Sequence, residues 1–350
     1  MTWGHSIQNF TAMPYKKLLH ILQRDGILPK WTGQVCPRCG VGKLGKMKFV
    51  KTRKTWMHQC SSRGCKKYLQ PDDYHPIFFR GAGSSVTPLY VQVCILYAAL
   101  AGVSVNSAHL ILNTDHKAVE RVYTNLDAAR ARYVEHKEKS ISYGSTSGEL
   151  WRDVEADEVD VGKALEEDSD QKPKLRWEQW CGVVERGRPS SLRLFRLAPP
   201  LTAPRAPGPG PIRKRDWGDI GTKHLRDRHV VLHTDGARAY KLRLPGVMHC
   251  NVVHKKKRII INKKAVWVKP HFTKVYKLKM PNKTTLKVKS GTQIIDRFWG
   301  HLRAYVKYTQ RTPGNVILRR KIRAAQFTYW TKGQNAWKAA GNMLQYLFEM

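Results

Sequence analysis

Read from the amino terminus, the spacing of apolar positions changes period several times, and each change marks an element. In residues 14–29, Leu18, Leu19, Ile21 and Leu22 share a face between Pro14 and Gly26, which predicts a short amphipathic helix. Residues 43–58 are basic and alternate as β-hairpins do. The apolar run 91–105 is too short to cross a bilayer and reads as a buried helix. Three helices are predicted between 87 and 138. The third buries Val119, Val122, Leu126 and Ala129, with Lys117, Arg121, Arg130 and Arg132 expected on its exposed side. A short helix, a Gly-containing turn and a basic third helix suggest helix-turn-helix DNA binding.

Beyond residue 150 the period shortens. Residues 154–162, 180–185 and 192–198 read as strands, 220–226 as a helix, and 229–235 and 250–254 as strands. Residues 199–215 are rich in Pro, Gly and Arg, cannot pair in a sheet, and are expected to form an exposed insertion. Residues 255–289 read as a lysine-studded hairpin. A helix follows, with Ile295, Trp299, Leu302 and Val306 on its apolar stripe and Asp296, Gly300, Arg303 and Lys307 on another face.

Composition sharpens this picture. The chain has 350 residues, room for two or three domains, and carries 63 Lys and Arg against 26 Asp and Glu, a formal net charge of +37. That is the footprint of a phosphate-binding protein. A basic structural or ribosomal-type protein is the bland alternative; its weakness is the 11 tryptophans and 14 tyrosines, which imply packed domains. Seven cysteines, an odd number, point to a reducing compartment, and residues 1–15 lack the charged and apolar regions of a secretory leader. Secretion is therefore not expected; the nucleus in a eukaryote, or otherwise the cytoplasm, is. Cys36-Pro-Arg-Cys39-Gly and Cys60-Ser-Ser-Arg-Gly-Cys65 set two thiolate pairs on turns, the spacing of a structural Zn²⁺ site with all four positions filled by protein. Cys94, Cys181 and Cys250 stand apart and are expected to be inert.

Acidic residues are more informative still. Between Glu149 and Asp170 lie ten carboxylates and only two basic residues, Arg152 and Lys163. Like charges gathered on a strand repel, and buried carboxylates need a cation or metal to stay ionised. Asp235 ends a predicted buried strand, where α/β sheets place their sites. From there to Asp296 there is no acid, and after Asp296 only Glu349. Three carboxylates supplied by strand, strand and helix, in a β-β-β-α-β order, match the logic of two-metal phosphoryl transfer.

These blocks resemble a known family. Val154-Glu-Ala-Asp-Glu, His233-Thr-Asp-Gly-Ala-Arg-Ala-Tyr240, and Gly291-Thr-Gln-Ile-Ile-Asp-Arg-Phe-Trp299 followed by His-Leu-Arg look like the catalytic blocks of DDE transposases. The type is the bacterial insertion-sequence (ISXO-like) one whose eukaryotic relatives are the Merlin transposons. The resemblance implies an α+β multidomain chain: an N-terminal helix (1–30), a zinc ribbon (31–82), a helix-turn-helix region (83–140), an RNase H-like mixed α/β catalytic domain (150–310) and a basic helical tail (311–350). It implies Asp157, Asp235 and Asp296 as Mg²⁺ or Mn²⁺ ligands for two ions, with Tyr240 and Trp299 in support. The expected partners are double-stranded DNA, both transposon ends and target, and further copies of the chain in a homodimer or larger assembly. Lys255, Lys256, Lys257, Arg258, Arg303 and Lys307 are expected to hold the DNA backbone. The chain departs from the pattern in having Asp, not the usual Glu, as third carboxylate, and Gln293 where an Asn is common. A domesticated, catalytically inactive, zinc-containing DNA-binding protein is the alternative.

Overall fold

The computed structural model describes residues 3–81, 86–146, 150–168, 171–253, 257–261, 264–306 and 311–350. Lys255, Lys256 and Lys307 lie outside them. The chain divides into two units, residues 1–133 with 331–350 and residues 134–330. Both are mixtures of helix and sheet.

The first unit begins with α1 (Ile7–Ala12) and α2 (Tyr15–Arg24), the latter started by Pro14 and followed by Gly26 at φ 75°. Leu18, Leu19 and Leu22 are buried, as a helical stripe requires. A three-stranded antiparallel sheet follows, β1 (Lys48–Val50), β2 (Thr55–Gln59) and β3 (Tyr68–Leu69). Then come α3 (Leu89–Leu100), α4 (Val105–Ile111) and α5 (His116–Lys137), the last running past the division between the units. Ser104 caps α4 by accepting from Ser107 N at 3.0 Å, and Asp115 accepts from Ala118 N at 3.2 Å. On α5, Lys117, Arg121 and Arg132 are exposed, but Arg130 is not. It is buried and lies 3.7 Å from Asp127, one turn earlier.

The second unit is built on one twisted sheet. β4 (Arg152–Asp168) and β5 (Gln171–Glu185) form its long central hairpin, and β6 (Arg193–Arg196) pairs antiparallel with β5. β7 (Leu201–Thr202) pairs with Arg176 and Leu175 of β5, so the proline-rich stretch is not wholly excluded from the sheet. Prolines before and after these two residues leave their own N–H and C=O groups free to pair. Ile212 at the end of the same stretch is buried. α6 (Lys214–His224) leads to β8 (Val230–Thr234), parallel to β4, and β9 (Val247–Asn251), parallel to β8. The strand order is β6-β5-β4-β8-β9. β4 and β5 run on beyond the expected strands because their charges pair: Arg176 bonds Glu166, and Lys163 lies over the Trp177 ring at 5.2 Å.

The expected basic hairpin is two ribbons, β10 (Lys257–Ile261) with β11 (Lys264–Val268), and β12 (Lys274–Lys279) with β13 (Thr285–Ser290). α7 (Gln293–Tyr305) and α8 (Val316–Trp330) cover one face of the sheet through Ile295, Phe298, Trp299, Leu302, Leu318 and Ile322. The other face is buried under Trp217, Ile220 and Tyr240. α9 (Ala336–Glu349) belongs to the first unit, where Trp337 Nε1 donates to Asp25 Oδ2 at 3.0 Å. The tail expected as one stretch over 311–350 is thus shared between the units. Among the described residues no helix is long and apolar enough to cross a membrane.

Candidate functional sites

The four knuckle cysteines come together. Their Sγ atoms all lie within 4.8 Å of one another, and among the described residues no other group of three or more His, Cys, Asp or Glu does this. Cys36 and Cys60 are buried with Leu44 and Leu69 in a core of only a few side chains, with Trp31 against it. Glycine is required at position 42, because a Cβ there would collide with Cys60 Sγ. The N–H groups of Gly42 and Val41 point at Cys39 and lower its thiol to about 6, while burial pushes Cys60 up to about 12. Without a cation the four cannot all be thiolates; a divalent ion such as zinc resolves that conflict, and the tetrad can hold one. Cys94, Cys181 and Cys250 are buried elsewhere, and burial raises all three thiols, Cys94 and Cys250 to about 11. Such thiols are poor nucleophiles.

The three aspartates lie in the second unit. Alternation along β4 sends Val154 and Ala156 into one core and Val159 and Val161 into the other, which puts Asp157 on the α7 side. The parallel register pairs Glu155 with His233, so Asp157 comes level with Asp235, just past the end of β8. In the antiparallel register Asp157 faces Gly182 of β5. α7 crosses the sheet there: a Cβ on Gly182 would stand 2.6 Å from Ile295 Cδ1 and 2.8 Å from Trp299 Cη2. That close approach lets Trp299 Nε1 donate to Asp157 Oδ2 at 3.0 Å. Asp296 lies one turn before Trp299, exposed, and accepts from Thr292 Oγ1 at 3.1 Å. Asp235 Oδ1 accepts from Ala237 N at 2.9 Å. Burial raises Asp157 to about 8, and the charges of Glu158, Asp296 and Asp235 push in the same direction.

The neighbouring acids have separate work. Glu158 points to the opposite face, accepting from Tyr240 OH and, at 3.0 Å, from Ile212 N. Tyr240 therefore supports Glu158 and not Asp157. Asp153 is bonded to buried His233 at 2.7 Å, which holds its carboxyl below the usual range. Glu155, 1% exposed, bonds Arg186 and the start of α7. Sequence reading missed Glu155, Arg186 and Gly182. Only Gly182 carried a signal, since a glycine inside a strand marks a close approach.

Among the cations, Arg258 and Arg303 are exposed, and Lys257 contributes its backbone to β10. A more ordered basic surface lies on β12 and β13. Their alternation turns Tyr276, Leu278, Leu286 and Val288 toward Val231 and Cys250, and Lys277, Lys279, Lys287 and Lys289 to solvent. Lys277 stands directly opposite Lys287. Like charges so placed destabilise a ribbon and are relieved by a polyanion.

Comparison with family models, with curated proteins and with solved structures finds no match to this chain.

Proposed function

We propose that this chain is a DNA transposase whose second unit is an RNase H-like DDE domain. The observation that carries the reading is the convergence of Asp157, Asp235 and Asp296, from a strand, a strand end and a helix, with the charges of the last two acting on the first. With the two-residue β7 set aside, β4, β5, β6, α6 and β8 follow a β-β-β-α-β order that supports it, as does the lysine face on β12 and β13.

The donor set suits Mg²⁺ or Mn²⁺, which take carboxylate oxygens. Asp157, Asp235 and Asp296 are the residues that would hold them, the charges of the last two both acting on the first. Bound ions would lower the pKa of the attacking water and neutralise the leaving oxygen. The chain's own part is orientation. Trp299 fixes one oxygen of Asp157, Thr292 one of Asp296, and the Ala237 amide one of Asp235. Lysines of β12 and β13 hold phosphates, and the α3–α5 helices and zinc-binding sheet contribute to recognition of the transposon ends. Strand cleavage adds water across a phosphodiester and leaves a 3′-hydroxyl; in strand transfer that hydroxyl attacks a target phosphodiester and displaces another 3′-oxygen. Assembly of two or more copies on paired ends belongs to the same proposal.

The test is nicking of a plasmid that carries the coding sequence with its genomic flanks. Cleavage in Mg²⁺ but not in Ca²⁺ is expected. Binding without cleavage in either Mg²⁺ or Mn²⁺ would instead identify a silent DNA-binding protein.

A further inference from the structure

Asp296 can serve the site only if α7 begins in the right place, and the usual means of fixing a helix start is missing there. The residue before the helix, Thr292, makes no side-chain cap bond. Its hydroxyl is turned to Asp296 Oδ2. First-turn amides of a helix lack partners within the helix and must find them elsewhere. Here Glu155 supplies them from β4: its Oε2 accepts from Ile294 N at 2.8 Å and Ile295 N at 3.1 Å. A carboxylate suits the positive end of the helix dipole, but at 1% exposure it needs a cation as well. Arg186 Nε provides it at 2.8 Å. The rest of that guanidinium donates to Lys289 O at 2.7 Å and Gly291 O at 2.8 Å, and Arg186 N donates to Asp153 O at 2.8 Å. One carboxylate and one guanidinium thus join β4, the end of the lysine-bearing ribbon and the first turn of α7.

We infer that Glu155 and Arg186 are positioning residues that fix the Asp296 helix and tie it to the strand carrying Lys287 and Lys289. The inference rests on the transposase reading for its catalytic consequence. Its structural half, the anchoring of α7, stands independently.

The experiment compares full-length wild type with Glu155→Gln, which keeps an acceptor oxygen but loses the charge, and with Arg186→Gln at a partly exposed position. Two quantities are read: the Mg²⁺ concentration giving half-maximal nicking of the same plasmid, and hydrogen exchange at the Ile294 and Ile295 amides. Both variants are expected to need about tenfold more Mg²⁺, the scale found for groups that orient metal ligands. Excess Mg²⁺ should restore most of the rate, and both amides should exchange at least about tenfold faster. A merely structural role would lower the rate at every Mg²⁺ concentration without moving the midpoint, and that result overturns the inference. So do unchanged exchange rates. If wild type fails to cleave, the transposase reading fails, and the exchange rates still decide the anchoring: faster exchange in the variants upholds it, equal exchange refutes it.

Discussion

Two glycines that meet the same helix should respond to alanine with opposite signs. At Gly182 an added Cβ lies 2.6 Å from Ile295 Cδ1 and 2.8 and 2.9 Å from two ring carbons of Trp299. Carbon atoms rest at about 3.5–4.0 Å, so α7 or the indole must retreat by about 1 Å. The indole is rigid and held by Asp157, and the Ile295 methyl, though the end of its side chain, is fully buried. Overpacking of this kind costs about 1–3 kcal/mol. A 1 Å displacement of a catalytic group costs on the order of 10²-fold in rate. Gly300, on α7 one turn beyond Asp296, has nothing within 4 Å of a built Cβ. Alanine there removes a helix-interior glycine and should stabilise by about 0.5–1 kcal/mol. Urea unfolding followed by tryptophan fluorescence measures both changes, and plasmid nicking measures the rate. Gly182→Ala with wild-type stability would refute the crossing of α7 over β5 at Asp157. Gly182→Ala destabilised yet fully active would refute the dependence of catalysis on that crossing.

Zinc should co-purify at one ion per chain, and Cys60→Ser or a chelator should cost most of the order around β1–β3, since structural zinc contributes on the order of 10 kcal/mol in small sites; metal analysis finding none in unchelated protein would count against it, and Cys94, Cys181 and Cys250 should be replaceable without loss of metal. Alanine at Lys277, Lys279, Lys287 and Lys289 together should weaken plasmid-fragment binding and flatten its dependence on log salt by about 3.6, at roughly 0.9 for each phosphate left without its lysine; an unchanged slope would mean that DNA follows another surface. Buried His75 bonds Ile27 O through Nε2 at 2.8 Å, while its Nδ1 accepts from the Ile77 and Phe78 amides, so a second ring proton has no acceptor. Burial lowers its pKa to about 3. The contribution of His75 to stability should therefore be constant above about pH 6.5 and fall below it, where only the unfolded chain protonates this ring, by about 2 kcal/mol between pH 6.5 and 5. His75→Gln should remove that part of the slope, and a slope unchanged by the substitution would place the pH dependence elsewhere.

What could be read from the residues was whatever depends on local periodicity. The alternation through Val154, Ala156, Val159 and Val161 marks β4, and the 3.6 spacing of Ile295, Trp299, Leu302 and Val306 marks the buried stripe of α7. What escaped depends on register and on the meeting of distant segments. Nothing local says that β8 lies parallel to β4 with His233 against Glu155, which is what brings Asp235 beside Asp157. Glu155 reads as one acid among ten because its partners, Arg186 and the α7 amides, are 31 and 139 residues away. Arg130 was misjudged by the helical wheel, which weighs apolar spacing and ignores that Asp127, three residues earlier, lets a charged side chain be buried. The lysines of β12 and β13 were visible as an alternation, but which face they occupy follows only from the core formed with Val231 and Cys250.

The central claim is that Asp157, Asp235 and Asp296 act as one site, and a set of asparagine substitutions tests it most directly. Groups that act as a unit are not additive: losing one costs nearly as much as losing all. Asp157→Asn, Asp235→Asn and Asp296→Asn should each bind DNA as wild type does and each reduce Mg²⁺-dependent nicking by at least about 10³-fold. The triple variant should be no slower than the slowest single one. Near-normal cleavage by Asp296→Asn, or losses that multiply across the three substitutions, would contradict the account.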